Sequence, residues 1–207
     1  MTFPERVVLA TRNRGKIREI LAICADWPVT WLTQEDLDWP EVEETGDTYE
    51  ENARLKARAV AAATGLPALA DDSGIEVDAL GGGPGPRSAR YAGADASDEQ
   101  NLRALLRAVA GVPPGGRTAR YRAVDVLALP DGPEWSAEGV CEGSLRSRPT
   151  GTGGFGYDPI FEPAGWERTM AEMTAEEKHR ISHRGKAFRQ LRDLLAQAGN
   201  PPGASNT

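Results

Sequence analysis

Cysteine is scarce. Cys24 and Cys141 are the only two, they form no CxxC pair, and so placed they give no disulfide framework. They read as buried free thiols of a protein kept in a reducing compartment. Also lacking is any apolar run near the roughly 18 residues of a membrane span, and nothing near the N-terminus has the layout of a secretory signal peptide. The expectation is a cytoplasmic protein with no membrane partner. A surplus of positive charge is missing too: 24 Lys and Arg stand against 31 Asp and Glu, for a net charge of −7. A surface that coats DNA or RNA needs a broad excess of bases over its footprint, so no nucleic-acid partner is expected. Any anionic ligand must be met by locally clustered bases. What is present is ordinary: 207 residues, 40% hydrophobic, allow one domain or two closely joined lobes with a substantial core.

Strand-like and helix-like segments take turns along the chain. RVVLAT (6–11) is a short β-rich run, and the following GKIREILAICADW carries Ile17, Ile20, Leu21 and Ile23 at helical spacing. EENARLKARAVAAATG reads as an Ala-rich helix stopped by Gly65. LPALADDSGIEVDAL reads as two strand segments hinged at Asp-Asp-Ser-Gly. DASDEQNLRALLRAVAG predicts a helix capped by Ser97 or Asp98 and closing on Gly111. The run from Arg117 to Arg146 alternates around PDGP and predicts a β-hairpin. A last helix is expected over about 182–197, before a Pro-, Gly- and Ser-rich tail, 199–207, that reads as disordered. Hairpins together with strand-helix units give an α/β fold with a mixed sheet.

Four islands combine glycines, charges and turn residues. LATRNRGK looks like a damaged Walker loop, with Ala10 for the first glycine and Ile17 for the Ser or Thr that would hold a metal. Before a helix, its backbone N–H groups with Thr11, Asn13 and Lys16 suit an anion; a simple capped turn is the equal alternative. EVEETGDTYEENARLK has five Glu and one Asp before Lys56. Most of such a run is solvated surface, yet a Mg²⁺ site needs only one or two carboxylates beside ligand phosphates. Asn52 and Lys56, four apart, share a helix face that could point at a phosphate.

In ADDSGIEVDALGGGPGPRSARYAG, paired aspartates end an apolar strand. Adjacent residues of an extended chain alternate faces, so one is expected at a site and the other capping the turn. GTGGFGYDPIF contains a formal GxGxxG at Gly151, Gly153 and Gly156, but Pro159 follows where a Rossmann unit needs a helix. The loop instead could present Phe155 or Tyr157 to a base, with Asp158 accepting hydrogen bonds; packing of either ring into the core is the equal alternative. HRISHRGKAF places His179 and His183 at i, i+4, but Arg180 stands where HExxH has Glu, so zinc is not expected. A His183–Arg184 pair at a helix start with Lys178 nearby suits carbonyl or phosphate oxygens.

Taken in order, TRNRGK, EETG, DDSG with GGGPGPRSARYAG, GTGGFGYDPIF and SHRGKAF resemble the inosine/xanthosine triphosphate pyrophosphatase family (HAM1-like, RdgB-like), over about residues 6–195. The resemblance implies an elongated, two-lobed α/β fold around a long mixed sheet flanked by helices. It implies a single domain over 1–198 with the active site in the cleft between lobes, a homodimer and a Mg²⁺ cofactor. The implied reaction is hydrolysis of non-standard purine nucleoside triphosphates (XTP, ITP, dITP) to monophosphate and pyrophosphate.

The family's substrate loop falls on Thr11, Arg12, Asn13, Arg14, Gly15 and Lys16, and its metal carboxylates on Glu44 and Asp72. Asp72 is also its catalytic base. Lys56 matches a phosphate-contacting lysine and Ser73 a substrate contact, while Phe155, Gly156, Tyr157, Asp158, Lys178, His183 and Arg184 match the base pocket. Arg12 departs from the glycine common there, and an ordinary backbone with its side chain in solvent is expected. Two rivals stand beside this reading: a Maf-like pyrophosphatase acting on pyrimidine or modified nucleotides, and a nucleotide binder without hydrolysis.

Overall fold

A computed structural model describes residues 3–199. Six strands form one sheet in the order β2-β1-β3-β4-β5-β6: β1 Arg6–Leu9, β2 Thr30–Leu32, β3 Ala68–Val77, β4 Thr118–Ala128, β5 Glu134–Leu145 and β6 Phe161–Pro163. β1 runs parallel to β2, with Val7 opposite Trp31, and parallel to β3, with Val8 opposite Ala68. β5 and β6 are antiparallel, so the sheet is mixed as expected. The helices are α1 Arg14–Ile23, α2 Tyr49–Thr64, α3 Asp98–Ala108, α4 Ala175–Ile181 and α5 His183–Gly199. Gly199, the first residue of the expected tail, closes α5; the rest of that tail, 200–207, lies outside the described residues.

The chain divides into two compact units. The first comprises Met1–Asp72, Val124–Glu138 and Lys186–Thr207, the second Ser73–Ala123 and Gly139–Gly185. In the first unit, the period-2 alternation of extended chain sorts each strand's side chains between two cores. Val8, Ala10, Ala68, Ala70, Val126 and Ala128 pack with Ala53, Ala57, Val60 and Ala61 of α2. Val7, Leu9, Leu69 and Leu127 pack with Ile20 of α1 and with Phe188, Leu191 and Leu195 of α5. Helices thus cover both faces of the parallel strands, which is why β1 and the first three residues of β3 read as apolar runs. The alanines of α2 are its core stripe, spaced four apart so that the helix lies close to the sheet. Each fully buried Leu, Ile or Phe contributes about 1.5–3 kcal/mol by leaving water.

The second unit gathers Ile75 and Val77 of β3, Leu102 and Leu105 of α3, Tyr121 of β4, Cys141 of β5, and Ile160, Phe161 and Met170.

Local signals set most boundaries. Thr48 and Glu51 form a capping box at the start of α2, and Gly65 ends it in the left-handed conformation at φ 65°. Ser97, not Asp98, caps α3 and shares a capping box with Gln100; the helix stops at Ala108, short of Gly111. β4 and β5 are sheet neighbours joined through residues 129–133, a connection short enough only for an antiparallel hairpin. α4 and β2 had no clear sequence signal.

One expectation is overturned. β3 is a single ten-residue strand, with no hinge at Asp-Asp-Ser-Gly. Turn-forming side chains bend a chain when they bond their own backbone. Here Asp71, Asp72 and Ser73 bond Lys16, Lys56 and Arg184 instead, and the strand runs straight through. The aspartates therefore lie in mid-strand.

Candidate active site

The first unit holds a compact cluster of charge. Asn13 caps α1, its Oδ1 accepting from Lys16 N at 3.0 Å, while Thr11 Oγ1 accepts from Asn13 N at 3.2 Å. The loop is a capped turn, the simpler of its two readings, and the cap leaves it at a helix start whose dipole would favour an anion. Lys16 Nζ lies 2.6 Å from Asp71 Oδ1, and Lys56 Nζ donates to Glu44 Oε1 at 2.8 Å and to Asp72 Oδ1 at 2.9 Å. Both ammonium groups also reach the Asp71 carbonyl, at 3.3 and 3.0 Å.

Face alternation explains the arrangement. Asp71 points to the side of α1 and finds Lys16; Asp72 points to the side of α2 and finds Lys56. The alternation was anticipated, but Asp71 caps no turn. It is fully buried on a lysine, and a second cation on the opposite face was the missing signal.

Among the described residues Lys16 and Lys56 meet three carboxylates, Asp71, Asp72 and Glu44, and a further cation there would ease the approach of a triphosphate. Asp72 Oδ2 is buried with no hydrogen-bond partner, an acceptor suited to such a cation. Among the described residues no group of three or more His, Cys, Asp or Glu gathers as a metal site. A Mg²⁺ held by one or two carboxylates and phosphate oxygens needs no such group, so the donor set fits. Burial raises Asp72 above the usual carboxylate range; Lys56 and Lys16 pull it down without cancelling that, and Glu44 adds to the rise. Burial disfavours the Lys56 ammonium, but Asp72 and Glu44 outweigh it and raise its pKa.

Other residues of these islands serve the scaffold. Asn52 is buried and its amide bonds Gly46 N–H and C=O at 2.8 and 3.2 Å, bracing the EETG loop rather than facing a phosphate. Glu51 is spent on the α2 cap and Glu50 on Arg54. Arg12 has an ordinary backbone, since among the described residues none but glycine has positive φ. The residue is exposed, as expected, and one guanidinium nitrogen donates to Trp39 O at 2.8 Å. Arg14 lies exposed and Gly15 half-buried at the start of α1.

The second unit holds an aromatic and cationic cluster. Lys178 of α4 and His183 and Arg184 of α5 are all buried. Ser182, extended at ψ 156° between the two helices, separates His179 from His183, which therefore do not share one helix face. Lys178 Nζ pairs with Asp158 Oδ2, which also accepts from Phe155 N at 2.8 Å. Arg184 donates to Ser73 Oγ at 2.9 Å. Its guanidinium and the Lys178 ammonium lie over the Phe155 ring, 5.7 and 5.2 Å from its centroid. Gly156 N donates to Asp98 at 2.9 Å.

Tyr157 and Asp158 are both buried. Tyr157 is a core residue whose hydroxyl donates to Ser88 O at 2.7 Å, and burial pushes its phenol up. It offers no exposed stacking face, which leaves that place to Phe155. Asp158 accepts hydrogen bonds as expected, but from the protein's own donors Phe155 N and Lys178 Nζ, and it is buried. Tyr121, stacked on His183, was not among the sequence candidates: a tyrosine in an alternating strand carries no mark of a site.

Comparison with known proteins covers nearly the whole chain. The model of the Ham1 family matches residues 7–194. A dITP/XTP pyrophosphatase of Streptomyces avermitilis is 54% identical over 197 residues, 92% of this chain and 98% of that protein. The dITP/XTP pyrophosphatase of Geobacter sulfurreducens is 51% identical, over 94% and 98% of the two chains. Among solved structures, a HAM1 protein from Coxiella burnetii superposes with TM-score 0.83 at 40% identity, over 95% of this chain and all of that one. The Staphylococcus aureus Ham1 protein gives 0.80 at 40% identity, covering 93% and 99%.

Proposed function

The chain belongs to the Ham1 family, and from that premise we propose that it is a dITP/XTP pyrophosphatase, hydrolysing non-standard purine nucleoside triphosphates to monophosphate and pyrophosphate. The observation that carries the residue-level reading is the cluster of Lys16, Lys56, Glu44 and Asp72, with the unpartnered Asp72 Oδ2.

Lys16 and Lys56 bind the phosphates and stabilise the charge that develops on the pyrophosphate leaving group. Asp72 takes a proton from the water that attacks the α-phosphorus. Glu44 and Asp72 would hold a Mg²⁺, which when bound offsets phosphate charge and orients the water. At the base, Lys178, His183 and Arg184 present donors, which suit the 6-oxo acceptor of hypoxanthine and xanthine. Adenine has an amino group there, so donor would face donor, and buried donors left unpaired reject the wrong base strongly. Phe155 supplies the stacking face. A homodimer acting in the cytoplasm completes the reading.

The test is a panel of nucleotides with Mg²⁺. Values of kcat/KM for dITP, XTP and ITP at least about 100-fold above those for dATP, UTP and dTTP are expected. Comparable or faster turnover of UTP or dTTP would put a pyrimidine-directed activity in its place. Tight ITP binding with no monophosphate formed would leave only a binder.

A further inference from the structure

We propose that Tyr121 is the positioning residue of base recognition, its ring fixing the plane of the His183 imidazole and its hydroxyl bracing Asp158. The inference rests on His183 reading the purine. In TARYRAV, the alternation of β4 turns Ala119, Tyr121 and Ala123 into the core and leaves Arg120 and Arg122 outside, paired with Glu76. The two alanines flank the tyrosine with little bulk, and the His183 ring lies flat on it, 4.6 Å between centroids and 8° between planes. The edge contact with Phe161, at 4.8 Å and 64°, holds the tyrosine itself.

An imidazole N–H points in the plane of its ring, so whatever fixes the plane fixes where the donor aims. A hydrogen bond weakens steeply as it bends, and a tilted ring would meet the purine's 6-oxo group badly. The same tyrosine reaches Asp158 Oδ1 through its hydroxyl at 3.4 Å. The other oxygen of that carboxylate holds Phe155 N and Lys178. One side chain thus stands behind His183 directly and behind Phe155 and Lys178 through Asp158. The hydroxyl bond is long and the stack is close, so the ring matters more than the oxygen.

The variants Tyr121→Phe and Tyr121→Leu separate the two contributions, since the first keeps the stack and the second fills space without it. The readout is the ratio of kcat/KM for dITP to that for dATP, which the fraction of folded enzyme does not alter. Tyr121→Phe keeps the ratio within about twofold; Tyr121→Leu lowers it roughly three- to tenfold through KM for dITP, with a smaller change in kcat. A purely packing role would lower both substrates alike and leave the ratio unchanged.

Proton NMR gives a reading free of activity, because the chain has only two histidines, His179 and His183. His183 ring protons, shifted upfield by the tyrosine, should move downfield in Tyr121→Leu while those of His179 stay. His183→Ala is the control. If it lowers the ratio and Tyr121→Leu does not, the Tyr121 inference is overturned and base reading by His183 stands. If neither lowers it, base reading by His183 fails and the inference falls with it. A ratio that falls with no movement of the His183 resonances would also overturn the inference, since the stack would not be the means.

Discussion

Lys56 places its ammonium 2.9 Å from Asp72 Oδ1 and 2.8 Å from Glu44 Oε1, one cation between the two carboxylates proposed to hold metal. Replacing it by methionine keeps the bulk and leaves those carboxylates to face each other. Lys56→Met should cost about 2–3 kcal/mol of stability, below the usual penalty for breaking a buried pair because Glu44 is partly exposed. Turnover should fall about 100-fold or more through lost phosphate stabilisation. Added Mg²⁺ should raise Tm further in the variant than in the parent. Thermal melts with and without Mg²⁺ check this, and an unchanged Tm and rate would remove Lys56 from the site.

Asp72→Asn preserves shape while abolishing the proton acceptor. Its kcat should drop by about 10²–10⁴, the usual worth of a general base, while calorimetric affinity for dITP stays within several-fold. Turnover near the parent rate would show that Asp72 is not the base.

Gly154 has φ +70°, and a Cβ there would stand 2.0 Å from Asp158 Oδ2. Gly154→Ala should displace the carboxylate that holds Phe155 and Lys178 and raise KM for dITP about tenfold or more. Gly165 shares a positive φ, +82°, but has open space around its missing Cβ. Gly165→Ala should therefore cost only the backbone strain, about 1–2 kcal/mol, with KM unchanged. Equal KM effects in the two variants would deny the role given to Asp158.

Cys24 carries the pH prediction. Burial, then the nearby Asp125 and Asp26, pushes its thiol far above the ordinary value, so the native state keeps the proton where the unfolded chain loses it. The resulting stability is complete below the unfolded thiol pKa of about 8.5 and declines as pH rises past it. The Tm advantage of the parent over Cys24→Ala should shrink between pH 7.5 and about 10, and a constant gap would contradict the assignment.

Much of the fold was legible because it rests on local chemistry. The apolar run of β1, the alanine stripe and Gly65 stop of α2, the Ser97 cap and the PDGP turn each act through near neighbours in the chain. The straight path of β3 was not legible. Asp-Asp-Ser-Gly is a turn signal until Lys16, Lys56 and Arg184 arrive from 55, 16 and 111 residues away. The same distance effect hid Asp71, assigned to a turn, and Tyr121, which takes its place only through its contact with His183. Arg12 is exposed as its segment suggests, but nothing in that segment announces the Trp39 carbonyl to which it donates. Motif order singles out Lys16, Lys56 and Asp72, and the structure adds which carboxylates each lysine meets.

The most direct test of the central claim locates the bond that water breaks. Hydrolysis of dITP in ¹⁸O-enriched water, with Mg²⁺ and the products resolved by mass, should place the label in the monophosphate and none in pyrophosphate. Label in pyrophosphate, or release of orthophosphate in the first turnover, would contradict attack at the α-phosphorus and the roles given to Asp72, Lys16 and Lys56.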